Sequence, residues 1–235
     1  MAIITEQCVP PLSAGDQLTR EEFLRRWEAD PSIKLAELIE GTVYMPSLVS
    51  VEHGSTDGDV GTWLGVYHAF TPGTASERNT TSFMLSDSPQ PDLNLRLLAE
   101  YGGGSWVEDR FLHGRPELLA EVCVSTASYD LNQKFRLYQS AGVPEYLAVV
   151  VFEREIRWHV LVDGRYQLFL PDADGLHRSR LFPGLWLDGQ ALLAGNLRQV
   201  LDRLPEGLRS PEHDRFVGEL AARRKTYQGA QARPR

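Results

Sequence analysis

The chain has 235 residues, of which 42% are hydrophobic and 24% charged, with a formal net charge of −8. This composition is typical of a globular protein and excludes collagen-like, coiled-coil and wholly disordered classes. The acidic balance argues against a broad cationic surface for nucleic acid, although it leaves room for a local one.

Hydrophobic periodicity, capping residues and turn residues predict strands and helices that alternate along the chain. In chain order they are a helix over 19–28, a hairpin over 36–44, a helix over 50–70, strands over 80–85, 90–98 and 117–124, a helix over 129–141, a strand over 145–152, a hairpin over 156–170, and helices over 190–204 and 211–227. We therefore expect an α/β or α+β fold, a mixed sheet flanked by helices.

The ends of the chain differ from its centre. Residues 1–17 hold two adjacent prolines and no basic n-region, so we expect a loose N-terminal arm and no signal peptide. One domain is predicted over 18–204, and a C-terminal helix with a basic tail over 205–235. The longest apolar run, residues 146–152, is far shorter than the roughly 20 residues that span a membrane. Two cysteines cannot form a disulfide scaffold, which favours a cytoplasmic setting.

Two acidic residues on neighbouring predicted strands are the strongest functional signal. Asp92 opens a strand in which polar and leucine residues alternate, so we expect its polar side chains on one face. Glu121 lies within an apolar strand, where a carboxylate is costly to bury unless a cation meets it. The pair could share a divalent cation such as Mg²⁺. Alternatively, Glu121 faces solvent at a strand end and Asp92 caps a turn.

A series of motifs runs along the chain in fixed order: Glu37-Leu-Ile-Glu-Gly41, His53, Pro91-Asp92, Glu117-Leu-Leu-Ala-Glu121-Val122, Asp130-x3-Lys134-x3-Tyr138-x3-Gly142-Val-Pro-Glu-Tyr146, and Phe182-Pro-Gly-Leu185. In this order they resemble the Uma-type restriction endonuclease family, a domain family of the PD-(D/E)XK nuclease superfamily. The likeness covers roughly residues 18–190. It implies a restriction-endonuclease-like fold and a divalent-metal-dependent endonuclease that leaves a 5′-phosphate.

The resemblance also implies roles for individual residues. Asp92 and Glu121 would bind Mg²⁺ or Mn²⁺, with Glu37 joining the metal shell. The superfamily lysine two positions after the glutamate is here Cys123, and Lys134 on the next helix matches the lysine of the Uma-type family. The alternative for Lys134 is a surface pair with Asp130, worth about 0.3–0.5 kcal/mol. His53 matches a histidine of the family and is a candidate accessory residue.

The sequence departs from the family pattern around these residues. Ala36 replaces a tyrosine, Leu147 a tryptophan and Val150 an aspartate, and no proline follows the Glu121 strand at Ser125-Thr126. An active DNA endonuclease is therefore one hypothesis, with DNA contacted locally and with the help of the metal. The second is a weakened or inactive module that binds nucleic acid or protein. A third is an oligomeric structural protein, since the 156–170 hairpin could pair with its copy, and a homodimer would also suit a nuclease.

Overall fold

In this computed structural model, residues 9–45, 48–124 and 129–231 are described. The helices are α1 (Arg20–Ala29), α2 (Val51–Phe70), α3 (Gln133–Ala141), α4 (Gly189–Leu193), α5 (Leu197–Leu208) and α6 (Pro211–Gln231), with 3₁₀ turns at Ala99–Tyr101 and Tyr129–Leu131. The strands are β1 (Glu37–Ile39), β2 (Thr42–Tyr44), β3 (Thr74–Ala75), β4 (Ser82–Phe83), β5 (Leu93–Leu97), β6 (Ser105–Glu108), β7 (Phe111–Gly114), β8 (Leu118–Cys123), β9 (Glu145–Val150), β10 (Glu155–Val162), β11 (Arg165–Phe169), β12 (Leu176–Arg178) and β13 (Trp186–Asp188). No helix among them is long and apolar enough to cross a membrane.

The centre of the fold is a six-stranded sheet in the order β11-β10-β9-β8-β5-β3. The β8–β9 pair is parallel and the other pairs are antiparallel, so the sheet is mixed, as expected. One face packs against α2, α4, α5 and α6 in a core that includes Trp63, Trp158 and Phe182. The other face carries α3 through Leu137 and Tyr138. The α/β prediction is therefore confirmed.

The polar face of β5 is buried. Side chains on the strand still alternate, but both faces are covered, and Asn94 and Arg96 are only 1% and 5% exposed. The segment that follows α2 covers the second face, because Glu77 forms an ion pair with Arg96 and donates its N–H to Asn94 Oδ1. Glu77 therefore engages both of these buried residues, Asn94 through its Oδ1 and Arg96 through its guanidinium group.

The helix predicted over 190–204 is two helices. The chain breaks between α4 and α5 at Gly195, which has a left-handed φ of 68°, and Asn196 caps α5 by accepting the N–H of Gln199. Helix α5 then continues through Pro205 to Leu208. The division of the chain at residue 204 remains a prediction, while α6 buries Phe216 and Leu220 in the main core.

Several short strands had no clear sequence signal. Strand β4 covers only two of the six residues predicted over 80–85 and pairs in parallel with β7. The β6–β7 hairpin turns at Asp109 and Arg110, which have positive φ without any glycine. The predicted hairpins at Glu40-Gly41 and Asp163-Gly164 are present, each with both turn residues at positive φ.

Candidate active site

Residues from separate parts of the sequence meet in one cleft of about 630 Å³. Glu37 comes from β1, Asp92 from the residue before β5, Glu121 from β8 and Lys134 from α3. The sheet register brings the two strand residues together, because Leu93 pairs with Ala120 in the antiparallel β5–β8 ladder. Asp92 and Glu121 therefore lie at neighbouring positions on adjacent strands.

Lys134 places its ammonium group between two carboxylates. Its Nζ lies 3.0 Å from Oε1 of Glu37 and 3.1 Å from Oε1 of Glu121, and its side chain is only 4% exposed. The main-chain oxygen of Gln90 lies 3.4 Å away. The structure thus places Lys134 inside the cleft and away from a surface pair, although the side chain of Asp130 lies outside the described residues.

Glu121 is buried, with 1% of its side chain exposed, and does not face solvent. Its Oε1 accepts a 2.7 Å hydrogen bond from the hydroxyl of Tyr138, and its Oε2 lies 3.4 Å from the backbone N–H of Asp92. A buried carboxylate persists only where such donors and charges compensate for lost hydration. Helix α3 supplies both a donor and a cation here.

Asp92 is held from two sides. Its Oδ2 accepts a 2.8 Å hydrogen bond from the N–H of Val122, and Nε2 of His53 lies 3.4 Å from the same oxygen. Burial favours a higher pKa for Asp92, but the hydrogen bond from His53, the charge of Lys134 and the Val122 N–H outweigh it, so its pKa is lowered. Asp92 is therefore an ionised ligand candidate rather than a turn cap.

Glu37 closes the other side of the cleft. Its Oε1 accepts a 2.5 Å hydrogen bond from the N–H of Gln90, and its Oε2 accepts one of 3.3 Å from the hydroxyl of Tyr129. The Glu40-Gly41 turn fixes the β1–β2 hairpin that presents this residue. All three carboxylates thus hold defined positions around Lys134.

The profile of the Uma2 family, described as "Putative restriction endonuclease", matches residues 20–190, which is most of the chain. The chain belongs to the Uma2 family. The resemblance found from the sequence motifs is confirmed. The matched range includes Glu37, Asp92, Glu121 and Lys134.

A solved structure supports the same fold. A putative nuclease belonging to DUF820 from Anabaena variabilis ATCC 29413 is 14% identical to this Uma2 protein, with a TM-score of 0.58. The match covers 75% of this chain and 99% of that chain. At this identity the likeness concerns the fold alone. A comparison with curated proteins produced no match.

In this Uma2 chain, Cys123 occupies the position two residues after Glu121, where the nuclease superfamily has a lysine. The two side chains point to the same side of β8, and Cys123 is 1% exposed in the apolar cluster beneath α3. Because α3 covers that face, Lys134 can deliver its ammonium to Glu121 from the helix. The cysteine position is therefore part of the core under the helix.

The other departures from the family pattern also lie in the core. Ala36, Leu147 and Val150 are each fully buried, so they fill apolar space. The residues Ser125-Thr126, where the family proline is missing, lie outside the described part of the chain.

The donor set suits a hard divalent cation, although it is not a ready-made metal cage. Within residues 9–45, 48–124 and 129–231, no group of three or more His, Cys, Asp or Glu side chains is already arranged to hold a metal ion. Three carboxylates surround a single ammonium, which leaves a formal charge of −2 in a partly buried cleft. Mg²⁺ binds through one or two carboxylates and completes its shell with water and phosphate oxygens. The residues therefore fit the cation.

Sequence reasoning missed two supporting features of the cleft. Tyr138 is not among the predicted site residues, yet its hydroxyl donates a hydrogen bond to Glu121. Asp57 also lines the cleft and is paired with Arg78. Its spacing of four from His53 on α2 was the available signal, because residues four apart share a helix face.

Proposed function

We propose that this chain is a divalent-metal-dependent endodeoxyribonuclease whose site consists of Asp92, Glu121, Glu37 and Lys134. The observation that carries the proposal is the position of Lys134, buried between the carboxylates of Glu37 and Glu121. A lysine that only stabilised the surface would not be 96% removed from solvent among acidic side chains. Membership of the Uma2 family supports the same reaction class.

Charge balance supports Mg²⁺ or Mn²⁺ as the cofactor. Asp92 and Glu121 are the ligands we assign, and Glu37 lies close enough to Lys134 to complete the acidic wall. A bound divalent cation would supply Lewis-acid polarisation of the phosphate and a lowered pKa for a coordinated water. It would also reverse the negative field of the cleft, which otherwise repels DNA.

The side chains of the chain then have distinct tasks. The ammonium of Lys134 would orient the attacking water and offset charge that develops on the phosphate. His53 holds Asp92 in place through its 3.4 Å contact. In the hydrolysis, the oxygen of one water bonds to phosphorus and the bond from phosphorus to the 3′-oxygen breaks. The proton of the water passes to the leaving oxygen, giving a 5′-phosphate and a 3′-hydroxyl.

Cleavage of supercoiled, linear and single-stranded DNA with Mg²⁺ or Mn²⁺ tests the proposal. Asp92→Asn should abolish cleavage, and chelation by EDTA should do so in the wild-type protein. Glu40→Gln is the matched control, because Glu40 forms an exposed ion pair with Arg136 outside the cleft. Equal cleavage by Asp92→Asn and by the wild-type protein would refute the assignment.

A non-catalytic module that binds nucleic acid or protein is the second candidate. The feature that favours it is that Lys134 already neutralises part of the acidic cluster without a metal. Titration calorimetry with Mn²⁺ separates the two. A catalytic site should bind Mn²⁺, and Asp92→Asn and Glu121→Gln should each lower its affinity for the ion. A non-catalytic scaffold should give no heat of binding in the wild-type protein or in either variant.

We also propose a homodimer, which would let two sites act on the two strands of DNA. Strand β11 is an edge of the central sheet, and its exposed Leu168 together with the following Leu170 offers surface for pairing with a copy. Sedimentation of the wild-type protein and of Leu168→Lys gives the test. A monomer at all concentrations for the wild-type protein would remove the proposal.

A further inference from the structure

The cleft has two chemically different halves. The polar half holds the proposed catalytic groups described above. The other half is apolar and aromatic and includes Leu35, Tyr44, Met45, Leu48, Val49 and Tyr129. Leu48 and Val49 at the rim are 100% and 67% exposed. Large apolar side chains left exposed beside a polar site are typical of a ligand-binding surface.

Two tyrosines form the wall where these halves meet. The rings of Tyr44 and Tyr129 stack with centroids 4.2 Å apart and an interplanar angle of 26°. Tyr129 donates its hydroxyl to Glu37, and the ammonium of Lys134 lies 5.5 Å from the centre of the Tyr129 ring. The aromatic wall thus contacts Glu37 and lies beside Lys134, two of the groups that would act at a phosphate.

The cleft is poor in cations. Among the described residues that line it, Lys134 is the one lysine or arginine, and its ammonium is engaged by Glu37 and Glu121. Regular duplex DNA is bound chiefly through Lys and Arg contacts to its phosphates. A stacked base inside a duplex also cannot reach an aromatic wall in a recess. An unpaired base can, and base–aromatic stacking tolerates any sequence.

Resting on the proposed function, we propose that Tyr44 and Tyr129 form a nucleobase subsite beside the catalytic groups. The substrate class is then DNA with an unpaired nucleotide next to the scissile phosphate, either single-stranded or extruded from a duplex. A cleft of about 630 Å³ has the volume for one such nucleotide. Tyr44 is the residue whose substitution tests the subsite, because Tyr129 also donates a hydrogen bond to Glu37.

Fluorescence anisotropy of a labelled oligonucleotide measures the subsite without cleavage. The strand is compared alone and in a full duplex, with Ca²⁺ as the hard cation, on the wild-type protein, Tyr44→Ala, Tyr44→Phe and Phe70→Ala. Phe70 is an exposed aromatic residue at the far end of α2 and serves as the control. Tyr44→Ala should weaken binding of the single strand by about tenfold or more, while Tyr44→Phe and Phe70→Ala should bind like the wild-type protein.

Abasic substitutions keep the protein unchanged and so remain informative even if Tyr44→Ala folds poorly. One base is removed at a time along the single strand, and loss of affinity should concentrate at one position. Equal loss at every position, or equal affinity for duplex and single strand, would overturn the subsite. Position-dependent binding without any cleavage under Mg²⁺ or Mn²⁺ would keep the subsite and reject the nuclease, whereas cleavage without base preference would do the reverse.

Discussion

Tyr138 and Lys134 both contact the same oxygen of Glu121, the hydroxyl at 2.7 Å and the ammonium at 3.1 Å. The two residues are four apart on α3 and therefore share one face of the helix. That face covers the strand in which Glu121 is buried. One helix thus supplies both the donor and the positive charge that compensate for the burial of Glu121, and Oε2 of Glu121 faces Asp92.

The hydroxyl of Tyr138 is expected to position Glu121 for metal binding. Tyr138→Phe removes the donor and leaves the ring in place, so Oε1 of Glu121 loses this hydrogen bond and keeps its contact with the ammonium of Lys134. We expect Mn²⁺ affinity, measured by calorimetry, to fall by about tenfold, since a hydrogen bond to a charged group contributes about 1.5–3 kcal/mol. Cleavage should fall at low metal concentration and recover in part at high concentration.

The control for this variant is Tyr67→Phe. Tyr67 is also fully buried, and its hydroxyl donates a 2.9 Å hydrogen bond to the main-chain oxygen of Pro183, on the opposite side of the sheet. The two variants should lose comparable stability, but Tyr67→Phe should keep full Mn²⁺ affinity. A loss of metal affinity in both would show that the effect comes from general destabilisation.

Removing the ammonium of Lys134 should make the stability of the protein depend on metal. Lys134→Met leaves the buried carboxyl group of Glu121 and the partly buried one of Glu37 without their shared cation, and breaking a buried ion pair costs about 3–5 kcal/mol. A divalent ion that binds these carboxylates would restore part of the loss by mass action. Thermal unfolding should show a larger rise in Tm with Mn²⁺ for Lys134→Met than for the wild-type protein, with cleavage abolished in both conditions.

Lys225→Met provides a lysine control on the exposed part of α6. Its Tm and its response to Mn²⁺ should equal those of the wild-type protein. If Lys134→Met were as stable as Lys225→Met without metal, the carboxylates would be protonated or hydrated in the folded protein. The charge argument for a cation in the cleft would then be wrong.

The sequence predicted the elements that carry the site because each has a local signal. The Glu40-Gly41 turn, the apolar strand around Glu121 and the helix ended by Gly142 are all present. The family motif order also predicted which residues gather, and they line one cleft. The distances among them depend on the β5–β8 register, and no local pattern in the sequence specifies that register.

What could not be predicted depends on contacts between distant segments. The second face of β5 is buried only because the chain returns after α2 and places Glu77 on Arg96. Tertiary context overrides a local pattern there. The break between α4 and α5 is different, because Gly195 and the N-cap Asn196 are local signals, although the apolar periodicity runs through both helices.

The glycine-rich segment 102–104 packs closely against neighbouring main chain, which leads to a mutational test. A Cβ on Gly103 would overlap the carbonyl of Leu97, and one on Gly104 would meet the main chain of Arg115 at 2.9 Å. Gly103→Ala should therefore destabilise the protein by about 3 kcal/mol, the upper part of the range for overpacking. Urea unfolding followed by tryptophan fluorescence measures the change.

Gly65→Ala is the contrasting substitution. Gly65 lies inside α2, and a Cβ there would meet no atom within 4 Å. Alanine in a helix interior is favoured over glycine by about 0.5–1 kcal/mol, so this variant should gain stability. Stability changes of opposite sign in the two variants would show that the loss in Gly103→Ala comes from close contact with the main chain and not from the replacement of a glycine as such. Wild-type stability of Gly103→Ala would show that the segment has room to move.

The titration of Glu145 should make the free energy of unfolding decrease as pH rises. This carboxyl is fully buried at the start of β9, where it accepts hydrogen bonds from Trp158, Ser179, Arg180 and Leu181. Burial raises its pKa despite those donors. The folded chain then keeps a proton that the unfolded chain releases near the usual glutamate value of about 4.3. The free energy of unfolding therefore decreases between that value and the raised pKa.

Glu145→Gln removes this titration while keeping the shape of the side chain. Its amide can no longer accept the indole N–H of Trp158 at Oε2, which adds a pH-independent cost of about 1–3 kcal/mol. The stability advantage of the wild-type protein over Glu145→Gln should be largest near pH 4.5 and should shrink as pH rises. Urea unfolding across pH 4.5–8, with exposed Glu155→Gln on β10 as a second reference, measures it. An advantage that grows with pH would mean that the donors outweigh burial and hold Glu145 ionised.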